Sequence, residues 1–552
     1  METTTELSSL LHLTGRLAVL LGSAFISALC YSYGRVLWLR RRLPPGPFPL
    51  PIVGNMLALP SSKPWTTIED WSVDYANPLI TVWLGRTPNI FVNDCWTASE
   101  LMEKRADIYS SRPTQVVMGD VCGITESNQV LLKYNDHWRA QRKVMHLAVG
   151  SQAVRQYRGF QADESAILMR DIMASPEEYV SSIERYSCSI VSILGWGRRI
   201  SERDDYIVKL ATGLMDERTG MEVPGAYWME AIPEMQYLPA WIYPLPRVLR
   251  HTGDALKAYW WALTEEGAKA PQHNFAKSLI ASGDQQGLSR ADISEMTANL
   301  IGGGVDTSSS TMLTCILAMC VFPEAQEKAQ EEIDRVCGSE RAPDWDSLDS
   351  LPYCQALFKE TLRWRSVTIL GGLPHAPIRD DNFRGYHFPR DIAIFGNLWA
   401  IHRHPRDFPD PDVFDPERYL ESGKRNRPYS NARGHNAFGW GRRACSGQPL
   451  AEQGLTMAII RLLWAFRVTP GLDAEGKEVE LDINNYTDSE NTRPHPFGAR
   501  FVPRSTAVRA LIEKDALEAD ERLAVWDGKT NVTVEQFLDP SIVPPPSSHK
   551  TG

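Results

Sequence analysis

Phe438-Gly-Trp-Gly-Arg-Arg-Ala-Cys445-Ser-Gly447 decides how this chain is read, and a helix-like run, Gln448-Pro-Leu-Ala-Glu-Gln-Gly-Leu-Thr-Met-Ala-Ile-Ile460, follows it directly. Glycines at 439, 441 and 447 permit tight turns and a close backbone approach to a flat partner. A cysteine at the entrance of a helix gains thiolate character from the helix dipole and from backbone N–H groups that lack a partner within the helix. The same N–H groups temper what the sulfur can donate. By itself the segment reads equally as a glycine-rich loop around an ordinary buried thiol, the better reading of any lone Gly-Cys pair.

Cys445 is one of nine cysteines, with the others at 30, 95, 122, 188, 315, 320, 337 and 354. The odd total and the lack of any C-x-x-C pair exclude a disulfide framework and a zinc-site pattern, so the rest read as reduced core or surface thiols. The formal net charge of −10 weighs against a nucleic-acid partner, because nothing offsets phosphate repulsion over the chain as a whole. At 43% hydrophobic and 23% charged residues the composition is globular, which excludes wholesale disorder.

Working outward from the cysteine, four further patterns carry chemistry. In Lys359-Glu-Thr-Leu-Arg-Trp-Arg365, Glu360 and Arg363 share one helical face and can form a charge-assisted pair. Ala298-Asn-Leu-Ile-Gly-Gly-Gly-Val-Asp-Thr-Ser308 sits inside a helix-like segment spanning 289 to 321. Three glycines there cost roughly 1 kcal/mol each relative to alanine, which a kink or a ligand groove would explain. The acid and hydroxyl of Asp306-Thr307 can relay protons through water. Trp138 and Arg142, one turn apart in Asp136-His-Trp-Arg-Ala-Gln-Arg142, are donors suited to a carboxylate, while His375 in Leu373-Pro-His-Ala376 reads alone as a structural histidine.

Five fixed positions, Phe438, Gly441, Arg443, Cys445 and Gly447, match F-x-x-G-x-R-x-C-x-G, and the chain thereby resembles the cytochrome P450 family. The other patterns fall in that family's order. Gly303 to Ser308 resembles its A/G-G-x-D/E-T-T/S oxygen-activation motif, and Phe414-Asp-Pro-Glu-Arg-Tyr419 resembles its P-E-R segment. The resemblance spans roughly residues 44 to 505 and is nearest to fungal members of secondary metabolism. It implies heme b (iron protoporphyrin IX) held by Cys445 as the metal ligand, with Phe438 and Arg443 beside it. It further implies Trp138, Arg142 and His375 at the heme propionates, Asp306 and Thr307 delivering protons, and Arg418 completing a structural triad with Glu360 and Arg363. Two departures, Ser366 in place of proline and Phe388-Pro-Arg-Asp391 in place of I-P-K-G, are expected to loosen loops without removing a heme contact.

On that resemblance the chain is a monooxygenase that uses dioxygen on an apolar small molecule. No dinucleotide or flavin fingerprint occurs, so its electrons must come from a partner, an NADPH-cytochrome reductase. Arg139, Arg142, Lys143, Arg433, Arg442 and Arg443 are candidates for a basic docking face. Pocket walls are expected from 113 to 130, 210 to 235, 297 to 307, 366 to 374 and 484 to 490, with Met118, Val121, Leu300, Val367, Ile369 and Leu370 making them apolar. Two other functions stay open on the sequence: a heme-thiolate isomerase or dehydratase that needs no reductase, and a non-catalytic heme sensor or scaffold.

The expected fold is mainly α with small β-sheets, the cytochrome P450 fold, preceded by one N-terminal transmembrane helix. Residues 17 to 34 carry no charge, and with Val36 to Leu39 they are about long enough to cross a bilayer. Glu2 and Glu6 before the span and Arg40, Arg41 and Arg42 after it place the body in the cytoplasm, as a single-pass protein of the endoplasmic reticulum on the family resemblance. The organisation reads as an anchor and basic flank (1–43), a proline-rich hinge (44–59), a heme-thiolate catalytic domain (60–505) and a C-terminal extension (506–552).

Overall fold

The computed structural model describes residues 2–338, 341–420 and 430–542; the far C-terminal part of the extension, with its Pro544-Pro-Pro-Ser-Ser run, lies outside the described residues. Among the described residues helices build the body and three small sheets brace it, the mainly α fold with small β-sheets that was expected. The chain begins with α1 (Glu2–Arg40), which over Gly15–Arg40 is apolar and long enough to cross a membrane. Then come α2 (Pro64–Asp74), β1 (Leu79–Leu84), β2 (Thr87–Val92), α3 (Cys95–Ser99), α4 (Asp136–Val149), α5 (Arg158–Ala174) and α6 (Tyr179–Trp196). A roof follows in α7 (Tyr206–Met221), α8 (Trp228–Ala231), α9 (Leu245–Lys269) and α10 (Phe275–Ser282). The centre holds α11 (Arg290–Gly304), α12 (Asp306–Val321), α13 (Pro323–Cys337) and α14 (Pro352–Trp364). The remainder is β3 (Asp381–Phe383), β4 (Tyr386–Phe388), β5 (Ala393–Gly396), α15 (Leu398–Ile401), α16 (Gln448–Ala465), β6 (Phe466–Pro470), β7 (Ala499–Pro503) and α17 (Thr506–Leu523).

Local chemistry sets the helix starts. Asn135 accepts the Trp138 N–H and so fixes the phase that turns Trp138 and Arg142 inward. Ser289 and Asp292 form a reciprocal capping box at α11. Pro323 and Pro352 open α13 and α14, where a missing N–H costs nothing. The core gathers on α12 and α16, in which Met312, Ile316, Met319, Met457, Ile460 and Leu463 are fully buried. The run from Arg290 to Val321 is also apolar enough to span a membrane, but 78% of its most apolar window is buried, so it is a core element.

In the main sheet β1 pairs antiparallel with β2, and β2 pairs parallel with β5 from Asn89↔Ala393 to Val92↔Gly396. The proline-rich segment lies along this sheet. Thr81 donates its N–H to Pro45 O (2.9 Å) and its hydroxyl to Pro44 O (2.7 Å), while Asn55 Nδ2 reaches Phe48 O at 3.1 Å. Asp391 takes a left-handed φ of 63° at the position where the family turn has glycine.

The C-terminal extension is packed onto the body as far as Asp539. Asp520 on α17 bridges Arg170 and Arg199 of the body, the latter at 2.6 Å, and Arg522 meets Asp163 of α5 at 2.7 Å. Trp526 lies edge-on to Phe160. Beyond it the chain crosses the roof: Val534 donates its N–H to the Tyr206 hydroxyl at the start of α7 (2.8 Å). Thr530 bonds Glu266 (2.6 Å) and Asp539 N–H meets His251 Nε2 (2.6 Å), both on α9.

Candidate active site

The cysteine loop is built from two left-handed glycines, Gly439 (φ 73°) and Gly441 (φ 54°). A side chain at 441 would collide with the Met102 carbonyl. Between them Trp440, 1% exposed, wedges against Gly371 and Gly396, where any side chain would strike its ring. The Cys445 N–H closes the loop on Phe438 O at 2.9 Å, and α16 starts three residues later. The thiol is exposed only to the interior, lining a cavity of about 400 Å³. Burial pushes it up from its ordinary range, opposed by the N–H groups of Gly447 and Gln448 and by the Arg142 charge. A metal bound in place of its proton would offset the cost that burial imposes on the thiolate.

Of the four arginines that line the same cavity, Arg112, Arg142 and Arg443 lie close enough to repel one another. Arg142 bonds Ala444 O (2.6 Å) and the Ser446 hydroxyl, and so clamps the cysteine loop to α4. Arg443 donates to Ser110 O (2.7 Å), Leu132 O (2.6 Å) and Gln129 O (3.3 Å), with its guanidinium 4.4 Å from the Trp138 ring centroid. Arg112, which the sequence patterns do not single out, donates to Val130 O (2.9 Å), Leu373 O (2.6 Å) and Pro374 O (2.9 Å). Burial, then Arg112 and Arg142, pull Arg443 down to about 8. Because guanidinium scarcely yields its proton, that pull registers positive charge without a counter-ion. Gln129 Nε2 is likewise buried with no acceptor. A dianionic edge such as a pair of heme propionates fits this donor set, and the Cys445 thiol on the same cavity would suit its iron.

His375 lines the cavity with Nδ1 2.8 Å from Tyr109 O, so Nδ1 carries the hydrogen and Nε2 faces onward as an acceptor. Burial, with Arg112 and Arg443, holds the ring neutral by pulling its pKa to about 3. Phe438 lines the cavity on the cysteine side.

Across the cavity the helix foreseen from 289 to 321 is broken at Val305 (φ −85°, ψ −65°), separating α11 from α12. Gly302, Gly303, Gly304 and Thr307 line the break, and Thr307 donates its hydroxyl to Gly303 O at 2.6 Å. Asp306, 4% exposed, stands one residue behind the lining. Asn491 Nδ2 holds its Oδ2 at 2.8 Å and Ser310 meets its Oδ1 at 3.4 Å, while burial raises its carboxyl. Asn491 does line the cavity, and nothing in its local sequence marks it.

Behind the cysteine loop the expected triad is assembled. Arg363 chelates Glu360 at 2.7 and 2.8 Å, and Arg418 Nε approaches Glu360 Oε1 at 3.5 Å. Ser366 tightens its loop instead of loosening it. Its hydroxyl bonds Leu362 O and His402 Nδ1, both at 2.7 Å, and His402 Nε2 accepts the Asn436 N–H at 2.9 Å. The basic face also needs correction: Arg142 and Arg443 turn into the cavity to serve backbone and loop acceptors, leaving Arg139, Lys143, Arg433 and Arg442 exposed. Each expected segment contributes to the walls, joined by Tyr186, Ser187, Ile190 and Val191 of α6; of the apolar residues expected, Met118, Leu300 and Val367 line the cavity, whereas Val121, Ile369 and Leu370 are buried in packed clusters instead, and Met215, Leu373, Glu222 and Glu490 were unforeseen.

Comparison with known proteins agrees with this geometry. The family model described as Cytochrome P450 matches residues 44–483. Tryptamine 4-monooxygenase of Psilocybe cyanescens is 31% identical over 508 residues, covering 88% of this chain and 98% of that protein. Cytochrome P450 monooxygenase virE of Hypocrea virens is 31% identical, covering 86% and 88% of the two chains. Cytochrome P450 monooxygenase yanC of Aspergillus niger is 30% identical, covering 93% and 98%.

Proposed function

Because the chain belongs to the cytochrome P450 family and is a heme-thiolate monooxygenase, we propose that it oxidises a small secondary metabolite, with Cys445 ligating the iron of heme b and electrons arriving from a separate NADPH-cytochrome reductase. The observation that carries the site assignment is one cavity: it is lined by the Cys445 thiol, by the glycine break with Thr307, and by Arg112, Arg142 and Arg443. When bound, heme supplies dioxygen binding and the oxidising power for a substrate C–H bond.

The residues of the chain do the rest. Trp138, Arg142, Arg443, Arg112 and Gln129 orient and neutralise the propionate edge. The closed loop from Phe438 to Cys445 sets the sulfur, and the N–H groups of Gly447 and Gln448 restrain its donation. Thr307 presents a hydroxyl at the helix break, and Asp306 behind it keeps a carboxyl that burial makes readier to hold a proton and hand it forward. Arg139, Lys143, Arg433 and Arg442 offer the acidic reductase its docking face.

The N-terminal apolar helix is a candidate membrane anchor. We assign it a single pass in the endoplasmic reticulum with the body on the cytoplasmic side. Exposed Tyr237 and Trp241 of the roof, and Phe48 and Leu57 beyond the anchor, support a body that rests against lipid. Reconstitution with NADPH-cytochrome reductase and candidate metabolites tests the function. Reductase-dependent product formation is expected; heme-dependent conversion that needs no reductase would overturn it.

A further inference from the structure

The substrate cavity adjoins a second one of about 320 Å³, and three residues, Glu222, Gly372 and Glu490, line both. Movement between the two therefore runs past two carboxylates. Glu490 is 1% exposed; its Oε1 accepts the N–H groups of Leu370 (3.1 Å) and Gly372 (2.8 Å) from the Gly371-Gly372 turn. Among the described residues its Oε2 takes no hydrogen bond, and neither does the carboxylate of Glu222 at the end of α7. Both side chains border the cavities with acceptor oxygens left over.

Arg112 and Arg218 draw the Glu222 carboxyl down through space without overcoming its burial, and neither bonds it. Arg112 spends its fork on three carbonyls, and Arg218, one turn before Glu222, makes no ion pair within bridging distance among the described residues. The second cavity is bordered by Asp120, Glu230 and Asp391 as well, and by no lysine or arginine. Glu230 is committed to the Val116 and Val117 N–H groups (3.2 and 2.8 Å), and Asp391 to Lys133 (3.3 Å). Asp120 accepts from the Thr125 hydroxyl (2.7 Å), so Glu222 and Oε2 of Glu490 are the acceptors left over where the two cavities meet. Their crowding has an electrostatic signature. Burial pushes Glu222 up to about 7, and burial together with the Glu222 charge pushes Glu490 up well beyond the carboxylate range.

An occupant that relieves this crowding must bring positive charge and hydrogen-bond donors. A divalent cation is poorly served, since no group of three or more His, Cys, Asp or Glu among the described residues can hold a metal. A hydroxyl brings a donor but no charge. Met118, Met215, Leu300, Val367 and Leu373 offer the adjoining part of the ligand an apolar bed.

We propose that the ligand of this cavity is an aliphatic amine in its protonated form, its ammonium seated against Glu222 and Glu490 and its apolar body laid along α11 toward Thr307. The proposal rests on the monooxygenase reading above and names the substrate class of that site. The carboxylate pair orients the ligand, so the atom presented at Thr307 is chosen by the distance from the ammonium.

The test is optical titration of the purified holoenzyme with dimethyl(phenylbutyl)amine, too hindered to favour iron ligation, and with its uncharged hydrocarbon isostere. The wild type is expected to bind the amine at least about ten-fold more tightly, the worth of one charge-assisted hydrogen bond. Glu222→Gln and Glu490→Gln are each expected to shrink that preference and the double variant to erase it, with affinity for the isostere unchanged. Equal affinity of the wild type for both probes overturns the proposal, as does a preference that Glu222→Gln leaves undiminished. Should Glu490→Gln fail to fold because it holds the Gly371-Gly372 turn, Glu222→Gln alone decides. The carbonyl spectrum of the same reduced preparations keeps the two readings apart: a lost thiolate band refutes the heme-thiolate site, whereas an intact band without amine preference refutes only this proposal.

Discussion

As the proposed iron ligand, Cys445 would combine two demands that pull against each other, a buried thiol that resists ionisation and a ligand that must be a thiolate. Cys445→Ala is expected to abolish the thiolate carbonyl band on reduction under carbon monoxide; a band that survives shows another ligand. Glu222 makes the opposite experiment. Its folded-state pKa lies above its ordinary value, near 7 against 4.5. The folded protein therefore holds the proton more tightly than the unfolded chain, and stability falls as pH rises through that window. Glu222→Gln is expected to raise the thermal midpoint above about pH 7 and to leave it unchanged below the ordinary carboxylate range. A variant less stable than wild type at both ends would contradict this. The residues legible in the sequence, Cys445, Arg443 and Trp138, share short motifs with their neighbours. Arg112, Asn491, Glu222 and Glu490 were not legible, because each gains its meaning from a segment far away in the chain: Leu373 for Arg112, Asp306 for Asn491, and Gly372 for Glu490.

At the scale of elements, the break between α11 and α12 makes a surface of what would otherwise be a sealed helix. The carbonyl of Gly303, at the break, is taken by the Thr307 hydroxyl. Thr307→Val keeps the shape and removes that hydroxyl. Product formed per NADPH consumed is expected to fall by about ten-fold or more with ligand affinity retained; undiminished yield would place proton delivery elsewhere. The linkage from Ser366 through His402 to Asn436 ties the end of α14 to the cysteine loop. Ser366→Ala leaves the buried His402 Nδ1 without its partner and is expected to cost about 1–3 kcal/mol, read as a lower denaturation midpoint and faster heme loss. Glycines 302 to 304 announced a disturbance within 289 to 321, but not that the helix would divide at Val305, since a bend and a break follow from the same weakened ladder. The proline that Ser366 replaces drew attention to rigidity; the hydroxyl donates to Leu362 O one turn back and accepts from His402 Nδ1, and only the fold brings the second partner to it.

The whole molecule is closed by its own end. Asp520 satisfies Arg170 and Arg199, the latter only 5% exposed, across the junction of the C-terminal helix with the body. Asp520→Asn is expected to lower stability by about 1–2 kcal/mol in chemical denaturation, the screened cost of breaking a half-buried pair whose arginines keep other partners. No change would mean that α17 is held by its apolar face alone. Past α17, the chain fastens the roof at Tyr206, the first residue of α7, while Glu222 stands just beyond the last. Sixteen residues of helix reach roughly 24 Å. Were α7 to pivot at the strap, a tilt of about 10° would carry its far end through about 4 Å. A small rotation beneath the strap would thus become a large displacement of Glu222, and a tail that touches no ligand would set the leverage on the junction of the two cavities.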